Sequence, residues 1–256
     1  MKICRISHSS FKSARYARLS ESEVFPFPAG YDFDYLKLPR EEGALALDEV
    51  EVLAPVAPSK IVCVGRNYRE HAAELGNKVP AEPLLFLKAP SAVIASGEQI
   101  ELPGASQQVE HEGELGVVIG RLARKIPQNE DPLSYVFGYT CVNDVTARDL
   151  QRKDVQFTRA KSFDTFCPVG PWIETSIDPS NVAVETRLNG EVKQKGNTAD
   201  MAFPVAFLIR YISEIMTLYP GDLIATGTPA GVSRMKRGDT VEVEVAGIGV
   251  LRNEIS

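Results

Sequence analysis

Cysteine, histidine and tryptophan are scarce in this chain of 256 residues, at four, three and one. The cysteines, Cys4, Cys63, Cys141 and Cys167, stand far apart and never in C-x-x-C spacing. That excludes a cysteine zinc site or a disulfide framework as the organising device and leaves reduced, mostly buried thiols. With only His8, His71 and His111 available, histidine-based chemistry has few candidates. Positive charge is also short: 28 Lys and Arg stand against 34 Asp and Glu, a net charge of -6. Neither nucleic acid nor an anionic membrane is expected as a partner. No apolar run reaches the ~20 residues that cross a bilayer. The opening residues, Met1-Lys2-Ile3-Cys4-Arg5-Ile6, lack the apolar core of a secretion signal, so a cytoplasmic protein is expected. Hydrophobic residues at 44% and charged residues at 24% are ordinary for a globular chain. The length suits one large domain, or one with a small appendage.

What is present is organised around His111-Glu112-Gly113-Glu114-Leu115-Gly116-Val117-Val118-Ile119-Gly120. On a strand, alternation puts Glu112 and Glu114 on one face and Leu115, Val117 and Ile119 on the other. Two adjacent carboxylates repel, and solvent, a shared proton or a divalent cation can offset that cost. Carboxylate oxygens without cysteine suit a hard ion such as Mg²⁺ or Mn²⁺. Taken alone, an E-x-E pair is also what an exposed strand end with two solvated acids looks like.

Residues 1–55 break into short apolar pieces separated by Ser, Pro and Gly, and read as a small β-rich unit. Val52-Leu53-Ala54-Pro55 and Ala57-Pro58 read as an extended connector, with a boundary near residue 56. A buried strand over residues 60–65 precedes a short helix over 69–76, on which His71 and Glu74 share a face. Residues 77–83 are polar and weakly anchored, as in a flap. Buried strands are expected over 84–87, closed by Lys88, and over 135–142, running into Asn143-Asp144. Thr146-Ala147-Arg148-Asp149 has the look of a capping box opening a helix to about Val155, with Gln151 and Arg152 on the face of Arg148. Residues 160–164 and the start of 167–173 form a loop feeding a strand. Alternation on both sides of Asn189-Gly190 marks a hairpin. Residues 203–218 carry the longest helical pattern. Strands follow over 223–226, 240–245 and 249–252. The pattern is α+β and β-rich, not a βαβ alternation. Asp144, at the end of an apolar strand, is the best placed third acid for a metal, with Lys88, Arg148 and Lys161 as nearby cations.

Six stretches, in order, resemble the fumarylacetoacetate hydrolase family. They are residues 64–68 with His71 and Glu74; 83–88; 112–115; 143–149; 160–164; and 220–222 with 227–231. The fit is nearest the short bacterial and mitochondrial branch of acylpyruvate hydrolases, oxaloacetate decarboxylases or tautomerases, and homoprotocatechuate-pathway isomerase/decarboxylases. The resemblance implies a mixed β-roll catalytic domain over residues 56–256 beside a small N-terminal domain over 1–55, and a homodimer. It implies Mg²⁺ or Mn²⁺ on Glu112, Glu114 and Asp144, with Lys161 as the active-site lysine. Arg148, Gln151 and Thr228 match positions that line the substrate site, and Arg66, Tyr68 and Lys88 are further binding candidates. His71 and Glu74 match a dyad that orders over bound substrate.

The implied substrate is a small 2-oxo (pyruvate-type) acid, cleaved or rearranged at C3 through an enolate. Acylpyruvate or fumarylpyruvate hydrolysis, decarboxylation and tautomerisation share that enolate, so the constellation does not separate them. Residues 77–81 and the N-terminal unit are expected to choose the C3 substituent. Two readings from other classes stand beside this one. A non-haem iron oxygenase could use His71 and His111 with one carboxylate, although His111 faces away from Glu112 on a strand. A non-catalytic binding protein could keep the fold, but needs neither the acids nor the dyad.

Overall fold

The computed structural model describes residues 1–31 and 38–256, so six positions of the expected N-terminal unit lie outside the described residues. The architecture is α+β and β-rich, with helices of at most 11 residues among those described. The main sheet runs in the order Leu45–Ala46, Glu23–Pro26, Arg15–Ser20, Lys2–Ser7, Cys167–Glu174, Val136–Asn143, Gly113–Ile119, Leu223–Ala225, Ile61–Gly65 and Leu84–Lys88. A second sheet holds Glu191–Asn197, Ala183–Leu188, Thr240–Val245, Gly249–Ile255 and Gln99–Ile100. No helix among the described residues is long and apolar enough to cross a membrane.

Alternation along Gly113–Ile119 divides the core. Leu115, Val117 and Ile119 join Val184, Val243, Val245 and the inner face of helix Val205–Ile215. Val118, on the face of Glu114, joins Cys63, Val142, Cys167 and Ala225 on the other side. The strand is therefore buried on both faces, and Glu114 on it and Glu112 just before it are carried into the interior by the apolar residues around them. Gly113, between them, is required by packing: a Cβ there would lie 2.0 Å from Thr186 Oγ1 of the second sheet.

The buried strand expected over 60–65 forms as Ile61–Gly65, and the strand over 240–245 and the Asn189-Gly190 hairpin form where alternation places them. All four cysteines are free and buried. Five expectations need correction. Leu84–Lys88 is a sheet edge rather than a buried strand, so Leu87 is 45% exposed while Lys88 turns inward. Val52 and Leu53, expected at the start of the connector, belong instead to strand Glu51–Leu53, which pairs with Lys2–Ser7. The Lys2–Ser7 strand in turn meets Cys167–Glu174 through Lys2↔Glu174 and Ile3↔Ile173, joining the N-terminal strands to the main sheet. No capping box forms at Thr146. Thr146–Ala147 is extended and pairs with Val109–Glu110, and the helix starts at Arg148 and ends at Lys153. The long helix is trimmed to Val205–Ile215, because Pro204 sets an extended start and Leu218 is drawn into a backbone pair with Ala123. The last strand extends beyond 252 to Ile255.

Candidate active site and metal centre

Glu114 enters on strand Gly113–Ile119 and Glu112 stands just before its start, while Asp144 follows directly on the neighbouring strand Val136–Asn143. Gly113 pairs with Asn143 and Glu114 with Val142. The chain then turns so that Asp144 N donates to Glu112 O at 2.8 Å. As a result one ligand atom from each of Glu112, Glu114 and Asp144 lies within 4.8 Å of the others, and all three residues are buried. Thus two acids two residues apart meet an acid 30 positions away because antiparallel pairing fixes the register.

Buried cations surround the acids unevenly. Lys161 Nζ donates to Glu112 Oε2 at 2.8 Å and to Asp144 Oδ2 at 2.7 Å. Lys88 Nζ donates to Asp144 Oδ1 at 2.7 Å and Val145 O at 3.1 Å. Arg148 donates through Nη2 to Glu112, through Nε to Glu110 at 2.7 Å and through Nη1 to Gln151 at 2.5 Å. Glu114 has no cation against it among the described residues; its one hydrogen bond is from Gly227 N at 2.7 Å. Gly227 has φ +103, and a Cβ there would lie 2.7 Å from Asn67 Cβ, so only glycine lets the amide approach.

Ionisation follows this distribution. Burial would raise Glu112, but Lys161 and Arg148 outweigh it and hold the carboxyl well below its usual range. Burial, then the charges of Asp144 and Glu112, push Glu114 well above its ordinary value, against the opposing Gly227 amide and the more distant charge of Lys161. Lys161, which burial would lower, is raised to about 12 by Asp144 and Glu112 and stays an ammonium. Four buried carboxyls, Glu110, Glu112, Glu114 and Asp144, therefore face three buried cations, and the acid left without one is Glu114. A hard divalent ion on the three acids supplies the missing charge, so the donor set fits Mg²⁺ or Mn²⁺.

The acids open into a cleft of about 450 Å³. Arg66, His71, Glu74, Phe86, Arg148, Gln151, Lys161 and Thr228 line it together with the three acids. His71, at 4% exposure, sits on helix Arg69–Glu74 with Nδ1 3.4 Å from Glu74 Oε2. Glu74 is anchored in turn by Gly231 N at 3.1 Å. Arg66, at the end of strand Ile61–Gly65, has φ 59, a left-handed backbone uncommon outside glycine. Its guanidinium has no ion-pair partner among the described residues. Phe86 carries the Lys161 ammonium at 5.0 Å from its ring centroid.

Two of the candidates stand elsewhere. Lys88 lies behind Asp144, fully enclosed, and Tyr68 lines a separate hollow with Lys195, Asp200 and Met201. Asn77 reaches the cleft wall, but no described residue before Val64 does. His111, an iron ligand in the oxygenase reading, is sequestered: Nδ1 is 3.0 Å from Gln194 Oε1 and Nε2 is 2.7 Å from Ser233 Oγ. Sequence reasoning missed Glu110 and Gln194. For Glu110 a signal existed, since the alternation of Glu112 and Glu114 extends back to it. Gln194, in a polar hairpin strand, gives none.

Residues 60–256 match the family model described as "Fumarylacetoacetate (FAA) hydrolase C-terminal". Oxaloacetate tautomerase YisK of Bacillus subtilis is 42% identical over 255 residues, covering 93% of this chain and 84% of YisK. Mitochondrial oxaloacetate tautomerase FAHD2A of Homo sapiens is 43% identical over 224 residues, covering 82% and 71%. Among solved structures, 5-carboxymethyl-2-hydroxymuconate delta-isomerase from Mycobacterium smegmatis is 40% identical with a TM-score of 0.90, covering 100% of this chain and 99% of that one.

Proposed function

Because the chain belongs to the fumarylacetoacetate hydrolase family and is one of its enzymes, we propose that it uses Mg²⁺ or Mn²⁺ to interconvert the keto and enol forms of a small 2-oxo acid. Oxaloacetate is the first candidate substrate, with C3 cleavage or decarboxylation as the alternatives that share the enolate. The observation that carries this reading is the convergence of Glu112, Glu114 and Asp144 under Lys161 at the floor of a cleft whose wall holds His71. The relatives named as tautomerases and as an isomerase support proton movement over bond cleavage.

A divalent ion held by the three acids supplies Lewis acidity towards the substrate's oxygens. The protein's own groups do the rest. Lys161, always charged, stabilises the negative charge that develops on the 2-oxygen. Arg148 holds Glu112 in place and keeps it ionised. His71, with Nδ1 turned to Glu74, has Nε2 free to take a proton from C3 and return it. In the same proposal the enzyme works as a homodimer in the cytoplasm, on a small molecule rather than nucleic acid or membrane, with residues 1–55 as a small N-terminal domain.

The test is a set of three assays with Mg²⁺ or Mn²⁺ saturating: loss of the enol absorbance of oxaloacetate, pyruvate release from oxaloacetate, and cleavage of acetylpyruvate. Metal-dependent acceleration of the first beyond the other two is the expected result. No acceleration over buffer in any of them overturns the proposal.

A further inference from the structure

A hydroxyl has one proton to give, and at Thr228 that proton is committed before any ligand arrives. The fully buried Gln194 sets the direction. Its Oε1 accepts from Gly113 N at 3.0 Å, and its Nε2 donates to Pro229 O at 2.7 Å. Both partners are backbone groups with a single role, so the amide has only one orientation. The other hydrogen on Nε2 goes to Thr228 Oγ1 at 2.7 Å. Thr228 Oγ1 must then donate to Gly113 O, at 2.9 Å. His111 locks the same arrangement: Nδ1, 3.0 Å from Gln194 Oε1, has to carry its hydrogen, and Nε2 accepts from Ser233 Oγ at 2.7 Å. One lone pair is what remains on this hydroxyl, and Thr228 lines the cleft together with Glu112 and Glu114.

We infer that Thr228 offers the substrate only a hydrogen-bond acceptor, so this wall of the cleft selects a ligand with a hydroxyl proton, the enol of a 2-oxo acid over a form without one. Gln194 is the positioning residue that enforces the choice. The inference rests on the 2-oxo acid reading above and adds which tautomer the cleft holds better. It also gives the second sheet a part in the site, since Gln194 comes from strand Glu191–Asn197.

Two small probes separate the cases in Mg²⁺-loaded protein by titration calorimetry. Near neutral pH oxalate has no proton to donate, whereas glycolate has a similar bite and a hydroxyl proton. Thr228→Val is expected to weaken glycolate by about 3- to 10-fold and leave oxalate within about 2-fold, the worth of one hydrogen bond. Thr228→Ser is expected to keep the wild-type ratio. Gln194→Leu, which frees the hydroxyl to turn and donate, is expected to shift the glycolate-to-oxalate ratio in the direction of Thr228→Val. Oxalate weakened as much as glycolate by Thr228→Val overturns the inference. If Gln194→Leu does not fold, the two Thr228 variants decide. Failure of both probes to bind the wild type with Mg²⁺ instead sinks the 2-oxo acid reading; binding with an unmoved ratio sinks this inference alone.

Discussion

Glu112 and Asp144 share one ammonium group: Lys161 Nζ lies 2.8 Å from the first and 2.7 Å from the second. Glu114, whose side chain points the same way as that of Glu112, is left with a single backbone amide. This asymmetry makes Glu114 the acid that most needs a metal, and several expectations come from it.

Glu114→Gln replaces a buried carboxyl, which without metal must take up a proton or bear an unpaired charge, by a neutral amide of the same shape. A buried carboxyl lacking a cation is costly when ionised, so the metal-free variant should melt a few degrees above wild type at mildly alkaline pH, about 2–4 °C per kcal/mol regained in a domain of this size. Wild type should gain about 2.7 kcal/mol from Mn²⁺ at 100 times its Kd, and the variant none. Thermal melts with and without Mn²⁺ measure both effects.

The raised Glu114 also sets a pH dependence. Its folded pKa lies well above the ordinary 4.5. Between those values the folded state holds a proton that the unfolded chain has lost, so metal-free stability falls as pH climbs through this window and levels off above it. A divalent ion competes with the same proton, and its affinity should rise over the same range. Calorimetry in two buffers of different ionisation enthalpy should show close to one proton released per ion bound. Binding without proton release would mean that Glu114 is already ionised.

Lys161→Met should cut turnover about 100- to 1000-fold, the worth of one preorganised donor at developing charge. With its pKa raised to about 12, Lys161 is an electrostatic group and not a proton acceptor at working pH. The wild-type rate should accordingly show no basic inflection from this residue below pH 11. Rate profiles of wild type and Lys161→Arg test the point, since arginine keeps the charge.

His71→Asn should lower turnover by about 100-fold or more, as loss of a general base does, while Mg²⁺ affinity changes little. Glu74→Gln should fall between this and wild type, because Gly231 N and the histidine still find an oxygen at that position. Turnover and Mg²⁺ titrations on the same preparations separate proton transfer from metal binding.

Much of the site was legible because it rests on local periodicity. Alternation predicts that Glu112 and Glu114 share a face, helical spacing pairs His71 with Glu74, and an acid just past an apolar strand points to Asp144. What escaped depends on pairings between distant segments. Thr146 reads as a helix cap until Val109–Glu110 claims it for a strand. Lys88 reads as a substrate cation, yet the sheet edge turns it behind Asp144. Gln194 becomes a hub because the second sheet carries it against Gly113, His111, Thr228 and Pro229. The oxygenase alternative loses His111 to that same network.

Anomalous diffraction from Mn²⁺-soaked crystals tests the central claim most directly. One peak bonded by an oxygen from each of Glu112, Glu114 and Asp144 is the predicted result. A peak that leaves out Glu114, or none at this position with the ion saturating, would contradict it.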